Sequence, residues 1–327
     1  GHLGAFKVNL SSNHKQQSLN VAHLLDRRLD AFDLLLDLSE KPHIDCEVLP
    51  FGYFATAGEE DALQHALNQL PDLIGEFDKP KFFEYDASIC AHGNSRLTGC
   101  TRCIEACPTD AIKSIELTQL VEIDPYLCQG GGSCATACPT GAITYRYPQP
   151  ADMQNRLRTL LRTYRDNGGG QPLLLFHDSE AGNAALTQLA GNTPGCLLSV
   201  EVEEIGSVGT DIWLVALAYG ASQVLLLDTP SVAQSVRREL QQQLVVAHAL
   251  LHAMGYPESA VALIDSDGLA KHLHQVKTAV SGQESLGIIQ AGDFKPAGFA
   301  GSNEKRNAFF FALEHLNNQA SVHAEVT

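Results

Sequence analysis

The chain has 327 residues, enough for about two domains, or three if one is small. Asp and Glu outnumber Lys and Arg by 38 to 22, a formal net charge of −16, so no basic surplus is available for phosphates and nucleic acid is excluded as a main partner. Hydrophobic residues make up 44% and charged residues 18%, a composition that supports a packed core and argues against disorder.

In chain order, residues 6–10 predict a strand, 19–30 an amphipathic helix, 32–38 a strand and 59–70 a second helix, together a small N-terminal α/β unit over residues 1–80. The run 76–85, with Pro80 and the aromatics Phe82, Phe83 and Tyr85, leads into a second region, 81–150. Beyond it a polar helix is expected at 152–166, and Gly168-Gly169-Gly170 reads as a hinge or linker. Strand patterns follow at 172–176, 197–202, 223–227 and 260–264, with helices at 180–190, 210–219 and 231–254. The last is given Thr229 as N-cap, Pro230 as its first residue and Gly255 as its stop. Short strands alternating with helices predict an α/β fold for 151–327, a doubly wound, flavodoxin-like parallel sheet. A helix at 303–318 ends the pattern.

The apolar stretches at 213–219, 224–227 and 245–251 are shorter than the roughly 20 residues of a membrane helix, so no membrane span is expected. Gly1-His2-Leu3-Gly4 shows no signal-peptide pattern, and a cytoplasmic location is expected. The first methionine is Met153, which is the pattern of a fragment or processed chain.

Seven of the nine cysteines fall between Cys90 and Cys138. They read Cys90-x9-Cys100-x2-Cys103-x3-Cys107-Pro108, then Cys128-x5-Cys134-x3-Cys138-Pro139. The halves repeat: residues 103–112 are CIEACPTDAI and residues 134–143 are CATACPTGAI. Zinc competes as a reading, because paired C-x2-C knuckles also build tetrahedral zinc sites. Only one C-x2-C is present, however, while the x3-C-P element occurs twice. A disulfide framework is disfavoured in a chain with no export signal. Cys46 and Cys196 stand alone and are expected to be small buried hydrophobes. His92, Arg96 and Arg102 are expected to be solvated.

Residues 86–148 resemble the two-cluster bacterial ferredoxin family, whose C-x2-C-x2-C-x3-C-P run grips one iron–sulfur cluster with three cysteines and reaches the other cluster with the fourth. The resemblance implies a ferredoxin-like iron–sulfur module lying between the two α/β regions. It assigns Cys100, Cys103 and Cys138 to a first 4Fe-4S cluster, and Cys107, Cys128 and Cys134 to a second. Two positions depart from the pattern. Leu97 stands where the first cysteine belongs, so Cys90 serves as fourth ligand only if the intervening residues, around 92–96, loop out. Gly131 stands where the second half expects a thiolate. The second cluster is therefore 3Fe-4S, or 4Fe-4S with water or an external ligand on one iron, or absent.

Residues 211–224 and His252-Ala253-Met254-Gly255-Tyr256 resemble the delta subunit of methyl-viologen-reducing hydrogenase over about 172–268. The resemblance implies an adaptor fold without that subunit's cluster, since the loops after the strands read His177-Asp178-Ser179 and Asp228-Thr229-Pro230. The whole resembles iron–sulfur proteins that accompany formate dehydrogenases and hydrogenases, which implies such a redox partner and a further ferredoxin segment downstream.

Open α/β sheets bind ligands at the carboxyl ends of their strands. Asp178, Asp228 and Asp265 sit there and are expected to be caps or loop residues. The expected function is electron transfer by an iron–sulfur subunit. The alternatives are a flavin- or nucleotide-binding reductase, which the missing phosphate-binding glycine motifs disfavour, and an iron–sulfur scaffold or redox sensor.

Overall fold

The computed structural model describes residues 1–12, 15–93, 99–115, 120–282 and 294–320. The chain divides into two compact units, one of Gly1–Lys81, Pro108–Lys113 and Glu122–Gln129, the other of Phe82–Cys107, Ser114–Val121 and Gly130–Thr327.

In the first unit β1 (Asn9–Ser12) and β2 (Lys15–Asn20) pair antiparallel. A short helix α1 (Ala22–Leu25) follows, β3 (Leu35–Asp37) pairs parallel with β4 (Tyr53–Ala55), and α2 (Glu60–Gln69) closes the pattern. The helix expected at 19–30 shrinks to one turn. Asn20 is taken by β2, and its Oδ1 accepts the Ala22 N–H at 3.0 Å; Asp26, in extended conformation, accepts the Arg28 N–H at 2.9 Å. Short polar side chains that bond nearby backbone in this way compete with helix continuation. The strand expected at 32–38 contracts to β3, with Phe32 bridging Phe6 instead. Buried Asp37 organises this region: it accepts from the Tyr53 hydroxyl at 2.5 Å and from the His43 and Ser39 N–H groups at 2.9 and 3.0 Å. Burial works against its charge, but these donors hold the carboxyl well below the usual range.

In chain order β5 (Phe83–Tyr85), α3 (Arg102–Glu105), β6 (Ile112–Ile115), β7 (Leu120–Ile123), α4 (Ser133–Ala137) and β8 (Ile143–Tyr145) come next. β5 pairs antiparallel with β8, and β6 with β7 makes a second two-stranded sheet. The rest of the second unit is α5 (Pro150–Asp166), β9 (Leu173–Asp178), α6 (Ala181–Gln188), β10 (Leu197–Val202), α7 (Thr210–Ala218), β11 (Gln223–Asp228), α8 (Gln234–Ala253), β12 (Val261–Asp265), α9 (Ser266–Gly282) and α10 (Lys305–Gln319).

The four strands β9 to β12 form one parallel sheet in the order β10-β9-β11-β12, with Leu173 opposite both Leu197 and Gln223. β9 is buried along its whole length, as a strand covered on both faces must be. Leu174 and Phe176 pack into a core with residues of α5, α7, α8 and α10, while Leu173 and Leu175 join a second core with Ala185 of α6 and Leu269, Leu273 and Val276 of α9. Helices on both faces of a parallel sheet are the α/β architecture the alternating pattern predicts. Every residue of α7 is buried, so this helix lies inside the core rather than on it.

Two local expectations change. Gly168 is not a hinge: with φ +83 it ends α5, its N–H reaching Arg165 O at 2.8 Å and that of Gly169 reaching Tyr164 O at 3.0 Å, the paired bonds of a Schellman cap. Gly255 closes α8 in the same way, as expected. The start of α8 moves: it begins at Gln234 after Ala233, because the Thr229 hydroxyl is engaged with Asp178 Oδ2 and Ser231 Oγ, at 3.1 and 2.7 Å, instead of capping the helix.

Candidate metal centre

Cys103 lies in α3 with Cys107 just beyond it, and Cys134 lies in α4 with Cys138 as its C-cap. The helices are too short to hold themselves and are fixed by side-chain bonds. Ser133 Oγ donates to Ala106 O at 2.7 Å, and Thr136 Oγ1 donates to Gly206 O at 2.9 Å.

Cys90, Cys100, Cys103 and Cys138 line one cavity, whose remaining wall includes Ala91, Pro139, Ala142 and Ile143. The insertion that separates Cys90 from Cys100 is pinched at its base. The Cys100 N–H donates to Ala91 O at 3.3 Å and the Gly99 N–H to His92 O at 2.9 Å. A side chain at Gly99 would begin 2.4 Å from Ala91 O, so only glycine permits this closure. Residues 94–98, including Arg96, lie outside the described residues.

His92 is not in solvent. It is 1% exposed, its Nδ1–H donating to Cys100 O and its Nε2 accepting from Ser114 Oγ, both at 2.8 Å. A carbonyl can only accept, which places the proton on Nδ1. The histidine is therefore a strut for the cysteine loop. Arg102 is partly exposed, but its guanidinium donates to buried Glu239 of α8, which in turn accepts from Gln243 at 2.9 Å.

The thiols sense one another. Burial first, and then the charges of Cys138, Cys100 and Cys90, push the Cys103 thiol up to about 12. For Cys138 burial acts in the same direction, but the Thr140 side chain, the N–H groups of Ile143 and Thr140, and the nearby Lys305 together pull it down. The buried Cys103 thiol resists ionising unless a cationic core compensates, and metal coordination deprotonates thiols outright. This donor set fits an iron–sulfur cluster. Among the described residues no group of three or more His, Cys, Asp or Glu side chains is placed to hold a single metal ion.

Lys305, on α10, had no signal in the sequence. Its amine donates to the carbonyls of Ala135 and Cys138, each at 3.0 Å, and to that of Thr136, gathering the C-terminal carbonyls of α4. Burial pushes this amine down, opposed by Asp211 and Cys138.

Cys107 and Cys134 belong to the second compact unit and Cys128 to the first. Cys128 is set by its N–H bond to Asp124 O at 3.1 Å. Cys46 and Cys196 do not line the thiol cavity, and no two of the nine cysteines form a disulfide.

At the carboxyl ends of the strands, Asp178 Oδ1 accepts the N–H groups of Glu180 and Gly182 at 3.0 Å, and Asp265 Oδ1 that of Gly268 at 2.7 Å. Asp228 binds Arg237 through both oxygens. All three are caps or loop ties, as expected. No helix among the described residues is long and apolar enough to cross a membrane.

Residues 96–142 match the family described as the 4Fe-4S dicluster domain, a span that holds six of the seven clustered cysteines and leaves out Cys90. The chain is also similar to a subunit of the tetrathionate reductase of Archaeoglobus fulgidus, 31% identical over 94 residues, which cover 29% of this chain and 35% of that protein. The chain thus spans about a third of that relative's length. Residues 96–142 are a 4Fe-4S dicluster ferredoxin domain, set in a chain with a four-stranded parallel α/β sheet.

Proposed function

We propose that this protein is an electron-transfer subunit of a cytoplasmic dehydrogenase or hydrogenase system, with a formate dehydrogenase or hydrogenase type of partner. The observation that carries the reading is the gathering of Cys90, Cys100, Cys103 and Cys138 around one cavity, within and beside a stretch that matches a dicluster domain. In this reading these four thiolates hold a first 4Fe-4S cluster, and Cys107, Cys128 and Cys134 hold a second, 3Fe-4S or 4Fe-4S. Bound clusters supply single-electron storage and transfer. The chain supplies the rest: thiolate ligands, N–H donors to the sulfur of Cys138, and the Lys305 ammonium beside it, which favours the more reduced and more negative state. The parallel-sheet domain serves as the docking adaptor that the delta-subunit resemblance implies. A partner of reductase type is in keeping with the similarity to a tetrathionate reductase subunit.

Potentiometric titration followed by EPR tests this. Two reversible one-electron transitions at separate potentials are expected, because cluster type, charge and exposure differ between the sites. Iron–sulfur content without any reversible reduction would leave a structural scaffold in place of a carrier, and a flavin absorption band would favour the reductase alternative.

A further inference from the structure

The second cysteine set has a gap at Gly131, and the structure shows what stands beside it. The turn 130–132 precedes α4 and its Cys134. Gly130 and Gly132 are glycines for backbone reasons, with φ +79 and +71, and a Cβ at either would meet Phe82 or Ser207 within 2.7 Å. Gly131 has no such reason. Its φ lies outside the left-handed region, and a Cβ built on it meets nothing closer than Glu204 Cγ at 3.7 Å, an ordinary contact. A cysteine side chain would fit here, and the side chain nearest to it is that of Glu204.

Glu204 lies two residues beyond the end of β10. Its own carbonyl accepts from the N–H and hydroxyl of Ser207, at 2.9 and 2.7 Å, which fixes the loop against the glycine turn. Its Oε1 is sealed from solvent and has no hydrogen-bond partner among the described residues. A buried carboxylate oxygen left unsatisfied loses its hydration without compensation, so such an atom calls for a partner. Burial, with the charges of Asp178 and Asp228, pushes the carboxyl up to about 7 against the pull of the Gly206 and Ile205 N–H groups.

We propose that Glu204 is the fourth ligand of the second cluster, its carboxylate oxygen binding the iron that a thiolate at position 131 would otherwise bind. The proposal rests on the two-cluster reading above. On ligation the carboxylate oxygen displaces water from that iron, any carboxyl proton passing to solvent, with no change in the electron count of the cluster. A hard oxygen in place of a soft sulfur makes that iron the most readily lost of the four.

The test compares iron and sulfide content, EPR and Mössbauer spectra of anaerobically purified wild-type protein with those of Glu204→Gln, and of Glu204→Gln combined with Gly131→Cys. The first-site signal in each sample reports whether the variant is folded. The wild type should hold a four-iron second cluster with one spectroscopically distinct iron. Glu204→Gln should lose that iron and show a 3Fe-4S signal when oxidised, and the added Gly131→Cys should restore a four-iron cluster with ordinary thiolate irons. A Glu204→Gln second site identical to wild type, or a wild type that already holds 3Fe-4S, would overturn the role of Glu204 while leaving the two-cluster reading intact. Wild-type protein without acid-labile sulfide would overturn that reading itself.

Discussion

Replacing Cys90 with serine should remove the first cluster's fully thiolate-bound state and lower cluster iron by about half, leaving the second site's signal in place. The expectation is specific because Cys90 lies outside residues 96–142, yet lines the cavity with Cys100, Cys103 and Cys138. The backbone pinch at Ala91–Cys100 and His92–Gly99 delivers it there in place of a cysteine at Leu97. Cys46→Ser and Cys196→Ser are the matched controls. Neither thiol lines the cavity, and Cys46 Sγ is turned to Val48 O at 3.2 Å, so both variants should keep full iron content. Iron analysis with EPR reads all three. Full retention of the first-site signal in Cys90→Ser, with loss in either control, would show that another thiol completes the site.

Leu214→Ala should destabilise the sheet domain by about 2–5 kcal/mol, the cost of deleting a fully buried leucine and leaving its cavity. Leu214 sits in α7, where every residue is buried, so the neighbours have little freedom to collapse. The neighbouring Trp213, the one tryptophan of the chain, is fully buried and donates from its indole N–H to Val208 O at 3.0 Å. Its fluorescence therefore reports unfolding of this core alone. The denaturant midpoint should fall with little change in slope. An unchanged midpoint would mean that α7 is not the central core helix. An exposed control such as Val245→Ala should shift the midpoint far less.

What is legible in the sequence follows from local physics. The four strands and intervening helices of the parallel sheet announce themselves by apolar runs and their spacing, and Gly255 by its role as a helix stop. The seven clustered cysteines are equally plain, because a cluster-binding loop is written in consecutive residues. Periodicity misleads where short polar side chains override it. Asn20 and Asp26 break the expected helix, and Thr229 turns to Asp178 instead of capping α8. His92, Arg102, Lys305 and Glu204 escape the sequence for a different reason. Each acquires its role from a partner distant in the chain: Ser114, Glu239, the carbonyls of α4 and the turn at Gly131. No periodicity or motif encodes such pairings; only the packed fold brings them together.

The most direct measurement of the central claim is metal and sulfide analysis of protein purified without oxygen. The thiol cavity and the repeated cysteine module predict brown protein that contains iron and acid-labile sulfide in near-equal amounts, enough for two clusters per chain. Colourless protein carrying stoichiometric zinc and no sulfide would contradict it.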